Sequence, residues 1–221
     1  MKTGGSECER AAYQRVDEIL QTSPIPLFLL PGDNEMMQCS NQKDAWEHWK
    51  DFFYGYDKYF DMRRFKVNRQ YERPENFSLF HKGVLFIGLN HVAGDNIVDV
   101  QEWIQQDMDN LQWLKQNMHV YGDFARSMVL FVHALKVHRH YDFFIPFFDR
   151  ALKFGKPILM LHGDGHVWEY EPNFNGVEGS YQNLKVNNIL RVQVARGGLE
   201  APVKVTVGID KINPFEFERQ S

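Results

Sequence analysis

The feature of this sequence that most constrains its fold is an alternation of short apolar runs with longer amphipathic segments. Val84 to Leu89, Met128 to Val132 and Pro157 to Leu161 are almost entirely apolar and too short for typical helices. Such runs are typical of strands buried on both faces of a sheet. Between them, apolar residues recur at helical spacing from Val100 to Met118 and from Tyr141 to Phe154. This alternation of strand and helix predicts an α/β sheet.

The N-terminal part of the sequence predicts two helices and a further buried strand. From Glu7 to Thr22 apolar residues line one helical face, and Ser6 with Glu9 forms the S-x-x-E pattern that caps a helix start. The run from Pro26 to Leu30 is apolar throughout and stops at a Pro-Gly pair, which predicts a strand. A second helix is predicted from about Lys43 to Tyr59.

Strands without intervening helices are predicted at two places. Asn76 to His81 alternates between apolar and polar residues, and Lys82-Gly83 connects it as a hairpin to the run that begins at Val84. Three C-terminal runs are expected to form antiparallel sheet: Val167 to Tyr170, Ile189 to Val194 and Val203 to Val207. Residues 1–221 contain no recognisable linker, so we expect a single domain.

Charge and hydrophobicity exclude several classes of partner. The 25 Lys and Arg against 29 Asp and Glu give a net charge of −4. This balance offers no sequence-wide basic surface, so no nucleic-acid partner is expected. No apolar run approaches the roughly 20 residues that cross a bilayer, and the first residues lack the apolar stretch of a signal peptide. No membrane partner is therefore expected.

Polar side chains follow four predicted strands at the point where each strand ends. In α/β sheets, ligands bind outside these carboxyl ends. A mixture of carboxylate, amide and imidazole groups suits Mn, Fe or Zn, and the sequence has only two Cys for structural zinc or iron–sulfur ligation. The sequence therefore predicts a hydrolytic metal centre at this edge. The candidate residues are Asp33, Asn34, Glu35, Asn90, His91, His133, His162, Asp164 and His166.

Two observations leave other interpretations open. A single His after a strand is more often a hydrogen-bonded loop residue than a metal ligand. The cluster His138-Arg139-His140 has two interpretations. It is either a solvated basic loop or a contact for an anion near the end of the strand that leads into His133.

Four segments occur in the order seen in calcineurin-like metallophosphoesterases: Lys2-Thr3-Gly4-Gly5-Ser6-Glu7-Cys8, Pro31-Gly32-Asp33-Asn34-Glu35, the strand ending in His133, and His162-Gly163-Asp164-Gly165-His166. The chain most resembles the microbial branch in which G-D-N-E replaces G-N-H-[DE] and H-G-D-x-H replaces G-H-x-H. The resemblance covers almost the whole chain. It implies a layered α/β sandwich with mixed sheets that lacks the family's first strands.

The resemblance also implies roles for individual residues. Asp33 corresponds to the family's Asn ligand, and Asn34 to the His that supports the leaving group. His133 corresponds to the single His ligand. Asp164 and His166 correspond to the paired His ligands, and His162 is expected to fill a coordination position that they leave vacant. The implied catalytic residues are Asn34 and His133, and the implied metal ligands are Asp33, Asn34, His133, His162, Asp164 and His166.

The activity implied by the resemblance is hydrolysis of phosphate mono- or diesters, in which a hydroxide bound by divalent metal ions (Mn, Fe or Zn) attacks phosphorus. The substrate would be a phosphate-ester small molecule or a nucleotide. The family's D-x-H strand and its second G-D segment have no counterpart before Lys2. Two functions therefore stay open: a metal-dependent phosphoesterase, or a non-catalytic member that binds a phosphorylated ligand or protein partner.

Two further expectations concern the N-terminal third. Cys8 and Cys39 either form a disulfide, which indicates an oxidising compartment and a secreted protein, or are separate buried thiols in the cytoplasm. The family's D-x-H strand and G-D strand would flank the predicted strand that ends at Leu30. Without them, this strand would be an unpaired hydrophobic edge of the sheet. The sequence therefore predicts self-association through that edge.

Overall fold

A mixed sheet forms the centre of the molecule. The computed structural model describes residues 8–35, 37–93, 99–135, 137–174 and 186–219. The helices are α1 (Arg10–Leu20), α2 (Gln42–Phe53), α3 (Val100–Tyr121) and α4 (Tyr141–Phe154). The strands are β1 (Val67–Arg69), β2 (Phe77–His81), β3 (Val84–Gly88), β4 (Ser127–Phe131), β5 (Ile158–His162), β6 (Glu169–Pro172), β7 (Ile189–Gln193), β8 (Val203–Val207) and β9 (Phe215–Arg219).

The strand order places the predicted apolar runs in the middle. In the described residues, the main sheet has seven strands in the order β1-β2-β3-β4-β5-β7-β6, and β8 pairs with β9 in a separate two-stranded sheet. Three neighbouring pairs are parallel: β3–β4, β4–β5 and β5–β7. The other three pairs are antiparallel: β1–β2, β2–β3 and β6–β7. The carboxyl ends of β3, β4 and β5 therefore meet at one edge, which is where the polar residues follow.

One face of the sheet is covered by α3 and α4. Alternate residues of the central strands, such as Ile87, Leu130 and Met160, point to this face and are fully buried. α4 contributes four Phe at i, i+1, i+4 and i+5, all with no exposed area: Phe143, Phe144, Phe147 and Phe148. Burial of each such ring stabilises the fold by about 1.5–3 kcal/mol. This helical layer is the largest part of the described core.

The opposite face is covered by the small β8–β9 sheet. Val129 and Leu159 of the central strands are buried there, against Val205, Phe215 and Phe217. Since successive strand residues point to opposite faces, a strand covered on both sides must be apolar throughout. This arrangement of layers confirms the predicted α/β sandwich with a mixed sheet.

The predicted strand from Pro26 to Leu30 is wrong. This segment is irregular, and β1 occupies the sheet edge beside β2. Leu27 and Leu29 instead pack against an aromatic cluster of α1 and α2, and the Phe28 ring lies 4.7 Å from that of Phe77. These three side chains therefore have partners within the chain, and the segment forms no strand edge. Self-association of the protein stays a prediction.

Other differences concern element ends and strand direction. α2 ends at Phe53, because Gly55 adopts a left-handed φ of 62°, and a short 3-10 helix Tyr56–Tyr59 follows. β7 is antiparallel to β6 as predicted but parallel to β5, and the pairing of β8 with β9 was missed. Ser6 of the predicted capping pattern and most of the loop after β6 lie outside the described residues. Within the described chain, no helix is long and apolar enough to cross a membrane. The single-domain prediction stays a prediction.

Candidate metal centre

The candidate site lies at the carboxyl ends of β4 and β5. His133 follows β4 by two residues, and Asp164 follows β5 by two residues. The backbone N–H groups of Gly163 and Asp164 both donate to the carbonyl oxygen of His133, each at 3.0 Å. These bonds tie the two strand ends together, so the positions of His133 and Asp164 are set by the sheet.

Asp33 reaches the same place from the irregular segment after Leu30. Its Oδ1 lies 3.0 Å from His133 Nε2, and Asp164 Oδ1 lies 3.8 Å from the same nitrogen. One ligand atom from each of the three side chains lies within 4.8 Å of the others. Ligand atoms lie about 2.0–2.2 Å from a bound zinc ion, so small rotations bring all three to one ion.

The close approach of Asp33 depends on its neighbours in the chain. A Cβ added at Gly32 would lie 2.3 Å from Glu35 Oε2 and 3.2 Å from His133 Cε1, so a larger residue here would have to displace the Glu35 carboxylate. The Tyr13 hydroxyl donates to the carbonyl oxygen of Glu35. The segment is thereby held against α1, with its carboxylates directed toward His133.

A disulfide between Cys8 and Cys39, with Cα atoms 5.8 Å apart, also restrains this segment. It joins the start of α1 to the chain that follows Asp33. The sequence left the pairing of these two cysteines open, and the structure has them bonded. The candidate ligand from irregular chain is therefore fixed by a covalent bond.

The charges of the site show an excess of carboxylate. Burial alone lowers the pKa of His133, but the hydrogen bond to Asp33 and the nearby carboxylates of Asp33, Glu35 and Asp164 outweigh it, so the pKa is raised. Burial likewise raises the pKa of Asp33, but the hydrogen bond and charge of His133 outweigh it and lower it overall. Three acidic groups thus surround one imidazole.

His162 lies beside the cluster but faces a cation of its own. Its Nε2 accepts a hydrogen bond of 2.9 Å from Arg191 Nε. Burial, together with the charges of Arg191 and His133, lowers the pKa of His162 to about 3. Since the ring is neutral and its Nε2 is occupied, the proton is on Nδ1. In this arrangement His162 does not offer a free lone pair, and its expected role as a ligand has no geometric support.

The other two residues implied by the resemblance are placed differently. His166 is exposed, adopts a positive φ of 60° and is not among the three residues whose ligand atoms converge, so its expected role as a ligand stays a prediction. Asn34 is half-buried beside Asp33 and contributes its backbone N–H to the Asp33 carboxylate.

A second group of possible ligands joins His91, one of the predicted strand-end candidates, with Asp107 and His140, which were not predicted as ligands. His91, Asp107 and His140 are all buried and bring one ligand atom each within 4.8 Å of the others. Asp107 lies within α3, so a search of strand ends cannot find it. In the cluster His138-Arg139-His140, the first two residues are exposed, as the solvated-loop interpretation expects, whereas His140 is buried and hydrogen-bonded to Asp107 and fits neither interpretation. Spacing gave no signal for this pair.

The remaining strand-end candidate, Asn90, is part of the core. Its backbone N–H donates to Asn76 Oδ1, and its side-chain amide donates to Glu75 Oε1 at 2.8 Å. A cavity of about 340 Å³ lies at the opposite edge of the sheet, lined by residues such as Pro157, Ile189 and Phe215, away from both groups.

Comparison with known proteins adds no relative. No family model matches the chain, and neither a curated protein nor a solved structure matches it. The functional argument therefore depends on the site itself.

Proposed function

We propose that this protein is a metal-dependent hydrolase of phosphate mono- or diesters. The single observation that carries the proposal is the convergence of Asp33, His133 and Asp164 at the carboxyl ends of β4 and β5. This edge is where open α/β sheets bind ligands. The resemblance of the surrounding motifs to calcineurin-like metallophosphoesterases supplies the reaction class.

The donor set fits a divalent ion such as Mn, Fe or Zn. Two carboxylates and one imidazole are ligands that these metals accept, and the carboxylate excess favours a cation. The same carboxylates raise the pKa of His133, because their negative charge stabilises a proton on the ring as it would stabilise a bound cation. When bound, the ion supplies a Lewis acid that polarises a phosphoryl oxygen and lowers the pKa of water.

The chain's own residues would position the ion and the substrate. His133 is fixed by the backbone bonds to Gly163 and Asp164, and its side chain is 23% exposed, so it meets solvent. Asp33 holds the ring by its hydrogen bond. Asn34, next to Asp33, would donate its amide to the leaving-group oxygen, which is the role that the resemblance implies.

The alternative, a non-catalytic protein that binds a phosphorylated ligand, has less support. Arginine and lysine side chains are the common side-chain ligands of phosphate groups. Arg191 lies nearest to His162, but Glu169 and Glu171 accept its other N–H groups at 2.6 and 3.0 Å. The charges on this side of the cluster are thus already paired.

Metal content and turnover test the proposal together. The purified protein is stripped with a chelator, reloaded with Mn²⁺, Fe²⁺ or Zn²⁺, and assayed with p-nitrophenyl phosphate and its bis-ester. We expect turnover only with metal, and His133→Gln should lower the rate by at least about 100-fold. The matched control is His138→Gln, at an exposed position, which should leave the rate unchanged. Metal-independent turnover, no turnover with any of the three ions, or equal rates in the two variants would contradict the proposal.

We further propose that the protein functions in an oxidising compartment, as a secreted protein does. The support is the Cys8–Cys39 disulfide, a bond that reducing cytosol disfavours. Thiol titration of denatured, unreduced protein isolated from its native source should find no free thiol. Two free thiols would exclude this compartment.

A further inference from the structure

The group of His91, Asp107 and His140 joins three elements of the fold. His91 follows β3 by three residues, Asp107 lies in α3, and His140 is the N-cap of α4. Their exposed fractions are 0, 3 and 1%. Two imidazoles and a carboxylate carry polar atoms that need hydrogen-bond or metal partners when they are buried.

The outer nitrogen of each imidazole donates to a backbone carbonyl. His91 Nδ1 lies 3.1 Å from the oxygen of Ala134, and His140 Nε2 lies 2.8 Å from the oxygen of Val92. Carbonyl oxygens only accept, so both of these nitrogens carry the proton. The inner nitrogens, His91 Nε2 and His140 Nδ1, are the ones that face Asp107.

This is the orientation that metal-bound histidines adopt. A ligating imidazole almost always donates its other N–H to a carbonyl or carboxylate, which fixes the tautomer and directs the lone pair at the ion. Here both imidazoles have that support from the backbone. Their inner nitrogens lie 3.8 Å (His91) and 2.8 Å (His140) from the same Asp107 oxygen. Those separations are close to the distances between two ligand atoms that bind the same ion.

A hydrogen bond between His140 and Asp107 does not satisfy all the polar atoms of the three side chains. His140 Nδ1 and Asp107 can share one proton, which satisfies both of them. His91 Nε2 then stays buried with no hydrogen-bond partner. Its lone pair is directed at a carboxylate oxygen whose only available proton is already shared, so no donor is left for it.

We propose that His91, Asp107 and His140 bind a divalent transition-metal ion, with Zn²⁺ as the best match to two imidazoles and one carboxylate. The ion gives His91 Nε2 its missing partner and neutralises the buried Asp107. It also links α3 and α4 to the end of β3, so its role is structural. The site is separate from the Asp33 group and does not depend on the proposed hydrolase activity.

The test first removes ligands of the other candidate site, the group of Asp33, His133 and Asp164. The double variant Asp33→Asn, His133→Gln lacks two of the three candidate ligands of the first site but keeps the buried group. After metal stripping, it is titrated with Co²⁺ and then Zn²⁺, in competition with a chromophoric chelator. We expect one equivalent of tightly bound metal. Adding His91→Gln should weaken binding at least tenfold, whereas adding the control His138→Gln should not change it.

A second measurement does not require the His91 variant to fold. X-ray absorption of the zinc-loaded double variant should report two imidazole ligands, and chelation should lower its melting temperature. Loss of metal from the double variant, fewer than two imidazoles, or unchanged affinity after His91→Gln would each overturn the proposal. Failure of phosphoester hydrolysis would not, because the wild-type assay reports on the other group.

Discussion

His162 makes a specific prediction about the pH dependence of stability. Its pKa is about 3 in the folded protein, first because the ring is buried and then because Arg191 and His133 add positive charge. In the unfolded chain the pKa returns to about 6.5. Between these two values the unfolded state binds the proton and the folded state does not. Stability is therefore fully present above pH 6.5 and falls as the pH is lowered toward 3.

The size of this effect follows from the separation of the two pKa values. Each pH unit within the window changes the free energy of unfolding by about 1.4 kcal/mol. Lowering the pH from 7 to 4.5 should therefore cost about 2–3 kcal/mol through His162 alone. His162→Gln removes this titration and keeps an oxygen that can accept from Arg191 Nε. Since the substitution also changes the stability at pH 7, the comparison uses the slope of stability against pH. The free energy of unfolding of His162→Gln should fall less steeply with acid than that of the wild type.

Urea unfolding at pH 7, 6, 5 and 4.5, with a chelator present and the disulfide intact, measures both slopes. The control is His119→Gln, in the exposed last turn of α3, which should follow the wild-type curve. If His162→Gln and the wild type lose the same stability between pH 7 and 4.5, His162 does not stay neutral in the folded protein over this range. The protonation state assigned to His162 beside Arg191 would then be wrong.

Three further predictions concern stability and the Asp33 segment. Replacing Cys8 and Cys39 by Ser opens a link across 31 residues and should cost about 3–4 kcal/mol in urea unfolding; a loss below 1 kcal/mol would contradict the chain-entropy argument. Gly32→Ala should weaken metal binding at least tenfold in a chelator competition, because the added Cβ displaces the Glu35 carboxylate; unchanged affinity would show that the segment relaxes freely. Phe147→Ala should cost about 3–5 kcal/mol in the same unfolding assay, whereas Tyr71→Ala, at a side chain that is 92% exposed, should be nearly neutral, and equal losses would contradict the assigned core.

Local patterns were sufficient where the signal is contained in one segment. The paired Phe of α4 specify both its buried face and its extent from Tyr141 to Phe154, which the structure reproduces. The hairpin at Lys82-Gly83 was also readable, because a two-residue turn sits between two strand patterns. The alternating residues of Phe215–Arg219 carried a strand signal that was overlooked.

Long-range choices were not readable from local patterns. The segment from Pro26 to Leu30 has strand composition, yet the aromatic cluster of α1 and α2 takes its side chains. In the candidate site, His133 and Asp164 followed from the strand-end rule, whereas Asp33 was predicted at the end of a strand that does not form. The motif resemblance pointed to all three residues, and the structure places them together. His166 is not part of this group. Asp107 could not be found because its partners come from other elements.

The end of β4 is where the two possible metal groups meet, and its hydrogen bonds explain why both are well fixed. The carbonyl oxygen of His91 accepts the N–H groups of His133 and Ala134, each at 3.1 Å, and the carbonyl of Ala134 accepts from the His91 ring. Buried backbone groups need such partners, so the strand ends cannot separate without leaving several of them unpaired. His133 is therefore rigid because of the sheet, whereas Asp33 depends on the disulfide and on Tyr13. Reduction of the disulfide should therefore loosen Asp33 and leave the group of His91, Asp107 and His140 intact.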